Sequence, residues 1–266
     1  MANLDDSLES KAPRISSIQE LTLVEAWDVG ANKPKYVTFY LVTPDEEVYF
    51  GQSFKSKADL SLEEYNSALT RVRDEELYPR IPTAITLTIA PENLDDVSAF
   101  IKRPGLNCYE TMKRWDYVTK ALLGETLIME QLSKTPHPNI IKYHGCRTRR
   151  GRITAIVLER LDLTLELYAR TEAFSQLDKE KFMAALESAV SHVHSLGLAH
   201  NDINPQNIMV KDGMPVLIDF GSCAPYGTRL QSLGSPGWFE KPFFTSEKDH
   251  DSYPLKKLRG WWDRSE

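Results

Sequence analysis

Apolar residues along this chain gather in short extended runs and in stretches of helical spacing, and the pattern predicts that strands dominate before about residue 160 and helices after it. The runs "LTLVEAW", "YVTFYLVT" and "VYFGQSF" between Leu21 and Phe54 are rich in β-branched and aromatic residues, and Pro44-Asp45 between the last two predicts a hairpin turn. Leu62, Tyr65, Leu69 and Val72 then fall at helical spacing, so "DLSLEEYNSALTRVRDEELY" predicts one amphipathic helix capped by Asp59 or Ser61. The two prolines of "PRIP" end that helix, and "TAITLTIA" (83–90) predicts renewed extended structure.

Further on, "VSAFIKRP" predicts a strand stopped by Pro104, and "RWDYVTKALLGETLIMEQL" a long helix with Val118, Leu122, Leu127, Met129 and Leu132 on its apolar positions. "HPNIIKYHG" and "RITAIVLE" predict strands, "DKEKFMAALESAVSHVHSLG" a second long helix closed by Gly197, and "MPVLIDFGS" a strand and its turn. Residues 1–18 are polar and aperiodic, as expected of a mobile tail. Residues 19–80 form a hairpin-plus-helix extension in this reading, and a soft boundary falls near residue 80.

Composition narrows the function classes. With 266 residues, 41% hydrophobic and 26% charged, the chain can bury a sizeable core. A net charge of -6 gives no electrostatic ground for binding nucleic acid or an anionic membrane, so neither is expected as a partner. Three widely spaced cysteines suggest neither a disulfide framework nor a zinc site. The absence of a signal-like or membrane-length apolar run points to an intracellular protein, cytoplasmic or nuclear.

One stretch carries chemistry. Phosphoryl transfer from a nucleotide needs a carboxylate near the acceptor hydroxyl, oxygen ligands for magnesium, a lysine on the phosphates and a glutamate to fix that lysine. In "HNDINPQN" (200–207), Asp202 is the candidate for orienting the hydroxyl and taking its proton, and Asn207 could reach back across a tight loop as a metal ligand. Asp219, after a buried apolar strand and followed by Gly221, could aim a second carboxylate at magnesium. The strand-loop-strand path between them would bring Asp202 and Asp219 to one end of a hairpin.

"HNDINPQN" followed by "DFG" resembles the catalytic loop and metal-binding motif of the eukaryotic protein kinase superfamily. "FIKRP" resembles that family's strand bearing the phosphate lysine, giving Lys102, and "LLGETLIMEQL" its glutamate-bearing helix, giving Glu125. "HPNI" (137–140), the hinge-like "IVLERL" with Leu158 at its gatekeeper position and Glu159 to Leu161 facing adenine, "GSPGW" (234–238) with Ser235, and "DSYPLKKL" with Asp251 as a helix-capping anchor for the catalytic loop continue the likeness. In detail it is nearest to the small kinase-like proteins of fungi. The resemblance implies an α+β, bilobed protein-kinase-like fold: a β-rich N-lobe over 81–161 and a helical, C-terminally shortened C-lobe over 162–266.

The resemblance also implies ATP and Mg2+ as cofactors, a protein serine or threonine as acceptor, and these roles. Asp202, Lys102 and Glu125 are the catalytic set; Lys102, Leu158, Glu159, Leu161, Asn207 and Asp219 bind the cofactor; Asn207 and Asp219 hold the metal. His200 packs under the DFG phenylalanine rather than acting as a base. A protein substrate or partner protein is expected, with oligomeric state open. A small-molecule kinase shares the aspartate-asparagine spacing but lacks "HPNI" and "GSPGW".

Several residues depart from the family pattern. No glycine occurs from Ile85 to Lys102, Phe100 replaces a small alanine near adenine, Asn201 replaces an arginine and Asn204 a lysine. Lost charge stabilisation at Asn204 implies slow transfer, and the alternative function is a pseudokinase acting as an interaction or regulatory module. "GWW" (260–262) is expected as an exposed apolar patch.

Overall fold

The computed structural model describes residues 12–28, 30, 33–107, 109–232 and 234–263. In chain order the elements are β1 (Thr22–Asp28), β2 (Lys33–Val42), β3 (Val48–Ser53), α1 (Leu62–Ala68), β4 (Thr70–Arg71), α2 (Asp74–Leu77), β5 (Ala99–Lys102), α3 (Tyr109–Met112) and α4 (Tyr117–Ser133). There follow β6 (Tyr143–Arg149), β7 (Arg152–Glu159), β8 (Leu163–Thr164), α5 (Leu165–Tyr168), α6 (Lys179–Ser195) and β9 (Leu198–Ala199). The last are β10 (Ile208–Lys211), β11 (Met214–Leu217), β12 (Ala224–Pro225) and α7 (Ser252–Trp262). This is an α+β chain whose strands gather before residue 160 and whose longer C-terminal elements are helices.

Two compact units divide it. The first takes the described residues up to Ile81 with Pro104–Thr119 and Arg149–Thr154. Its antiparallel sheet has the order β1-β2-β3-β4, and Phe39 and Tyr65 meet edge-on at 4.7 Å in its core. The expected tail gives way before residue 18: Ile15 is 2% exposed, and its backbone N–H donates to Asn66 Oδ1 at 2.9 Å. Residues 1–11 of that tail lie outside the described residues.

The single helix expected over residues 59–78 is interrupted. Ser61, not Asp59, starts α1 with a capping box in which Ser61 Oγ accepts from the Glu64 N–H and Glu64 accepts from the Ser61 N–H. Leu69 then turns extended, and Thr70 and Arg71 pair with Phe50 and Tyr49 at the edge of the sheet. β-Branched Thr70 and Val72 suit that edge better than a helix interior, and ladder bonds to β3 replace the helical ones. Leu69 and Val72 are both buried, but one follows α1 and the other follows β4, so their helical spacing does not mark one helical face.

The second unit holds Pro82–Arg103, Lys120–Thr148 and the described residues from Ala155 on. "TAITLTIA" forms no strand; it touches β6 only where Cys146 exchanges backbone bonds with Thr88 and Ala90. Gly145 makes that contact possible, because a Cβ there would lie 2.6 Å from Ala90 N and Thr88 O, and its φ of 127° is open to glycine alone. Pro91 and the acidic loop after it end the pairing.

In the β5-β7-β6 sheet the residues Ala99, Ile101, Ala155 and Val157 form a buried cluster. Helix α6 buries Phe182, Met183, Leu186, Ala189, Val190 and Val193, the period-3.6 face its sequence predicts. The expected exposed patch at "GWW" does not exist. Trp262 is 1% exposed and packs on Phe174 and Phe182 at ring distances of 4.5 and 5.1 Å, because α7 turns that edge inward.

Candidate active site

The segment from His200 to Asn207 is held from below by one carboxylate. Asp251 is fully buried, and its two oxygens accept the backbone N–H groups of His200 and Asn201, both at 2.8 Å, with His194 Nε2 at 2.8 Å as a third partner. The anchoring of the loop expected of Asp251 is thus present, while its side chain makes no capping bond to α7. His200 packs edge-on against Phe220 at 5.0 Å, and its Nε2 bonds the Ile218 carbonyl at 3.0 Å, as expected of a structural histidine.

Asn201 adopts a left-handed φ of 62°, which asparagine tolerates better than most residues. Its Nδ2 donates to Ala199 O, Ser222 O and Ser246 Oγ at 2.9, 3.1 and 2.9 Å. A neutral, buried amide thus ties the loop to the segment after Asp219.

Asp202 is bonded at both carboxylate oxygens. Oδ1 accepts from the Ser235 backbone N–H at 2.7 Å and from Asn204 Nδ2 at 3.1 Å, while Oδ2 accepts from Asn207 Nδ2 at 2.9 Å. Asn204 also caps the turn Pro205–Asn207 by accepting from the Gln206 N–H at 2.9 Å. That turn fixes Asn207, whose Nδ2 points at Asp202 and leaves Oδ1 without a donor among the described residues.

The hairpin β10-β11 pairs Ile208 with Leu217, and the Ile218 N–H donates to Asn207 O at 3.0 Å. Asn207 and Asp219 therefore flank the open end of one hairpin. Lys102 Nζ, projecting from β5, donates to Glu125 Oε1 of α4 at 2.6 Å and to Asp219 Oδ1 at 2.8 Å. Burial works against the Lys102 ammonium, but its two carboxylate neighbours outweigh that and hold its pKa above the ordinary lysine value.

The carboxylates differ. Burial lifts Glu125 above the usual glutamate value in spite of Lys102. At Asp219 burial is outweighed by the Lys102 charge and by bonds from Lys102 and the Gly221 N–H, so its pKa lies below the usual value. Asp219 itself takes the left-handed conformation of this turn, with φ 59°. Gly221 is needed for space instead: a Cβ there would lie 3.2 Å from Asp219 Oδ1, 3.6 Å from Glu125 Oε2 and 3.9 Å from Lys102 Nζ.

A divalent cation suits this donor set. Asn207 Oδ1 and Asp219 Oδ2 accept no hydrogen bond among the described residues, and hard oxygen ligands at the mouth of one hairpin are what magnesium takes. On the expected adenine side, Leu158 is buried in β7 opposite Phe100, and the Glu159 N–H already donates to Lys142 O at 2.9 Å. Glu159 also pairs through its side chain with Lys211 at 2.5 Å. Leu161 follows, half-buried between β7 and β8. Phe100 shares the Lys102 face of β5 and is 49% exposed.

Three contributors were not legible in the sequence: the double role of Asn204, the Asn201–Ser246 bond and the His194–Asp251 pair. Only Asn204 carried a local signal, because asparagine before proline is a common cap of a short turn.

A sequence model described as protein kinase domain matches residues 107–249, more than half of the chain. Glu125, Asp202, Asn207 and Asp219 lie inside that span and Lys102 just before it. The chain is 33% identical over 137 residues to a serine/threonine-protein kinase/endoribonuclease IRE1 of Hypocrea jecorina, covering 47% of this chain and 10% of the relative. It is 32% identical over 120 residues to the human MAPK/MAK/MRK overlapping kinase, covering 44% and 28%, and 30% identical over 125 residues to a probable serine/threonine-protein kinase mkcB of Dictyostelium discoideum, covering 46% and 17%. The chain thus spans between 10% and 28% of the length of these relatives. Among the described residues no helix is long and apolar enough to cross a membrane.

Proposed function

Because the chain belongs to the protein kinase family, we propose that it transfers the γ-phosphate of Mg-ATP to a serine or threonine hydroxyl of a protein. The observation that carries this reading is the Lys102 ammonium held between Glu125 and Asp219 at 2.6 and 2.8 Å. A fixed cation costs no reorganisation when charge develops on the phosphates. Asp202, bonded to Asn207, is the base.

In the proposed step the acceptor oxygen bonds to the γ-phosphorus, the bond to the β,γ-bridging oxygen breaks, and the hydroxyl proton passes to Asp202 Oδ2 as ADP leaves. Asn207 Oδ1 and Asp219 Oδ2 would hold magnesium, which when bound neutralises charge on the nucleotide phosphates. Lys102 orients those phosphates, and Glu125 keeps Lys102 in reach of them. Because Asn204 is neutral where the family has lysine, transfer is slow.

A second reading is a pseudokinase acting as an interaction or regulatory module. It is favoured by the segment before β5, which has no glycine and, among the described residues, adds no strand to cover a nucleotide. Fluorescence titration with ATP, with and without magnesium, in wild type and Lys102→Ala separates the two. Enzyme function requires magnesium-dependent binding that weakens in the variant; no binding in wild type would contradict it.

A further inference from the structure

A residue that departs from the expected chemistry is also densely connected in the loop. Asn204 is 2% exposed, and its one amide bonds Asp202, Ser235 and the turn that carries Asn207. Its nitrogen has two hydrogens and three acceptors in reach: Asp202 Oδ1 at 3.1 Å, Asp202 O at 3.2 Å and Ser235 Oγ at 3.2 Å. Its oxygen accepts the Gln206 N–H. No ammonium could do both, since lysine has no acceptor to cap that turn.

We propose that Asn204 is a positioning residue that docks the Ser235 segment onto Asp202 and so decides which carboxylate oxygen takes the acceptor proton. This rests on the phosphotransfer reading above. A carboxylate oxygen has room for about two hydrogen-bond donors. Oδ1 is filled by the Ser235 N–H and Asn204 Nδ2, whereas Oδ2 has only Asn207 Nδ2. The open place on Asp202 is therefore on Oδ2, beside Asn207, and an incoming hydroxyl is directed there.

The arrangement also constrains the substrate segment. Gly234 precedes the docked residue, and a Cβ at that point would lie 2.7 Å from Asn201 O, so the chain approaches the loop as closely as backbone allows. Asn204 then holds Ser235 by its hydroxyl while Asp202 holds it by its N–H. What is lost in charge at this position is exchanged for a fixed geometry of base, metal-side amide and substrate-side segment.

The test uses the full chain, isotopically labelled, with Asn204→Ala and Asn204→Ser; serine keeps a short acceptor for Gln206 and one donor. Nuclear magnetic resonance reads the Ser235 N–H, and steady-state kinetics with Mg-ATP and a serine peptide reads kcat and KM. In Asn204→Ala the Ser235 N–H signal moves and exchanges faster, kcat falls about 10- to 100-fold and the nucleotide KM changes less than about twofold. Asn204→Ser restores part of both.

An unmoved Ser235 signal in Asn204→Ala overturns the proposal, as does a moved signal with unchanged kcat. If wild type transfers no phosphate, the enzyme reading fails, and the Ser235 signal alone still decides whether Asn204 docks the segment. Should Asn204→Ala not fold, the same pair of readouts in Asn204→Ser and Ser235→Ala decides, with unchanged kcat in both overturning the proposal.

Discussion

Asp251 Oδ1 accepts the backbone N–H of Asn201 at 2.8 Å across 50 residues of chain. With Oδ2 on the His200 N–H, one buried carboxylate satisfies the two backbone donors that lead into Asp202. Asp251→Ala would leave these donors and His194 without that partner. The expected cost is about 3–5 kcal/mol, read as a drop in the urea midpoint, and Asp251→Asn should lose less because one carbonyl oxygen remains to accept. A change under about 1 kcal/mol would show that water replaces the carboxylate.

Gly221 is predicted to matter for ligand affinity more than for folding. A methyl group 3.2 Å from Asp219 Oδ1 forces that carboxylate to move, while Gly221 has no left-handed φ to preserve. Gly221→Ala should weaken Mg-ATP binding about tenfold, or ~1.4 kcal/mol, with thermal stability nearly unchanged. Isothermal titration and a melting curve on the same sample check both halves of this expectation.

Trp262 anchors α7 through Phe174 and Phe182. Truncation to alanine removes a large, fully buried ring, and a loss of about 3–5 kcal/mol is expected from denaturant unfolding. An effect near zero would return "GWW" to the surface patch that its sequence suggests.

Glu64 contributes to the pH dependence of the first unit. Bonds from Lys55 and from the Ser61 N–H and hydroxyl lower its pKa from the ordinary 4.5 to about 2. A carboxylate lowered on folding adds stability above its ordinary value, and this is lost as pH falls through 4.5 toward 2. Glu64→Gln keeps the capping geometry without the charge, so the variant's stability should fall less steeply over that window. Parallel slopes for wild type and variant would remove Glu64 from the account.

The candidate-site residues were legible because the chemistry expected of them needs fixed residue types at short spacing: Asp202, Asn207 and Asp219 sit on one loop and one hairpin, and the Asn207 amide reaches Asp202 as that spacing allows. Lys102 and Glu125 were legible through family likeness, since nothing local tells a strand lysine that faces two carboxylates from one that faces water. Periodicity succeeded for α4, α6 and β7, where a single element supplies a whole buried face. It failed over 59–78, where residues 62–68 belong to a helix and residues 70–71 to a sheet edge, because sheet pairing outweighs local propensity. It failed again at 83–90, whose β-branched residues find a neighbour at Cys146 alone.

The most direct measurement of the central claim is transfer of radiolabelled γ-phosphate from Mg-ATP to a mixture of serine and threonine peptides by wild type and Asp202→Asn. That substitution keeps most of the side-chain volume and removes the proposed base. The account predicts slow incorporation by wild type that falls at least about 100-fold in the variant. Equal incorporation by the two proteins, or none by wild type at saturating nucleotide, would contradict it.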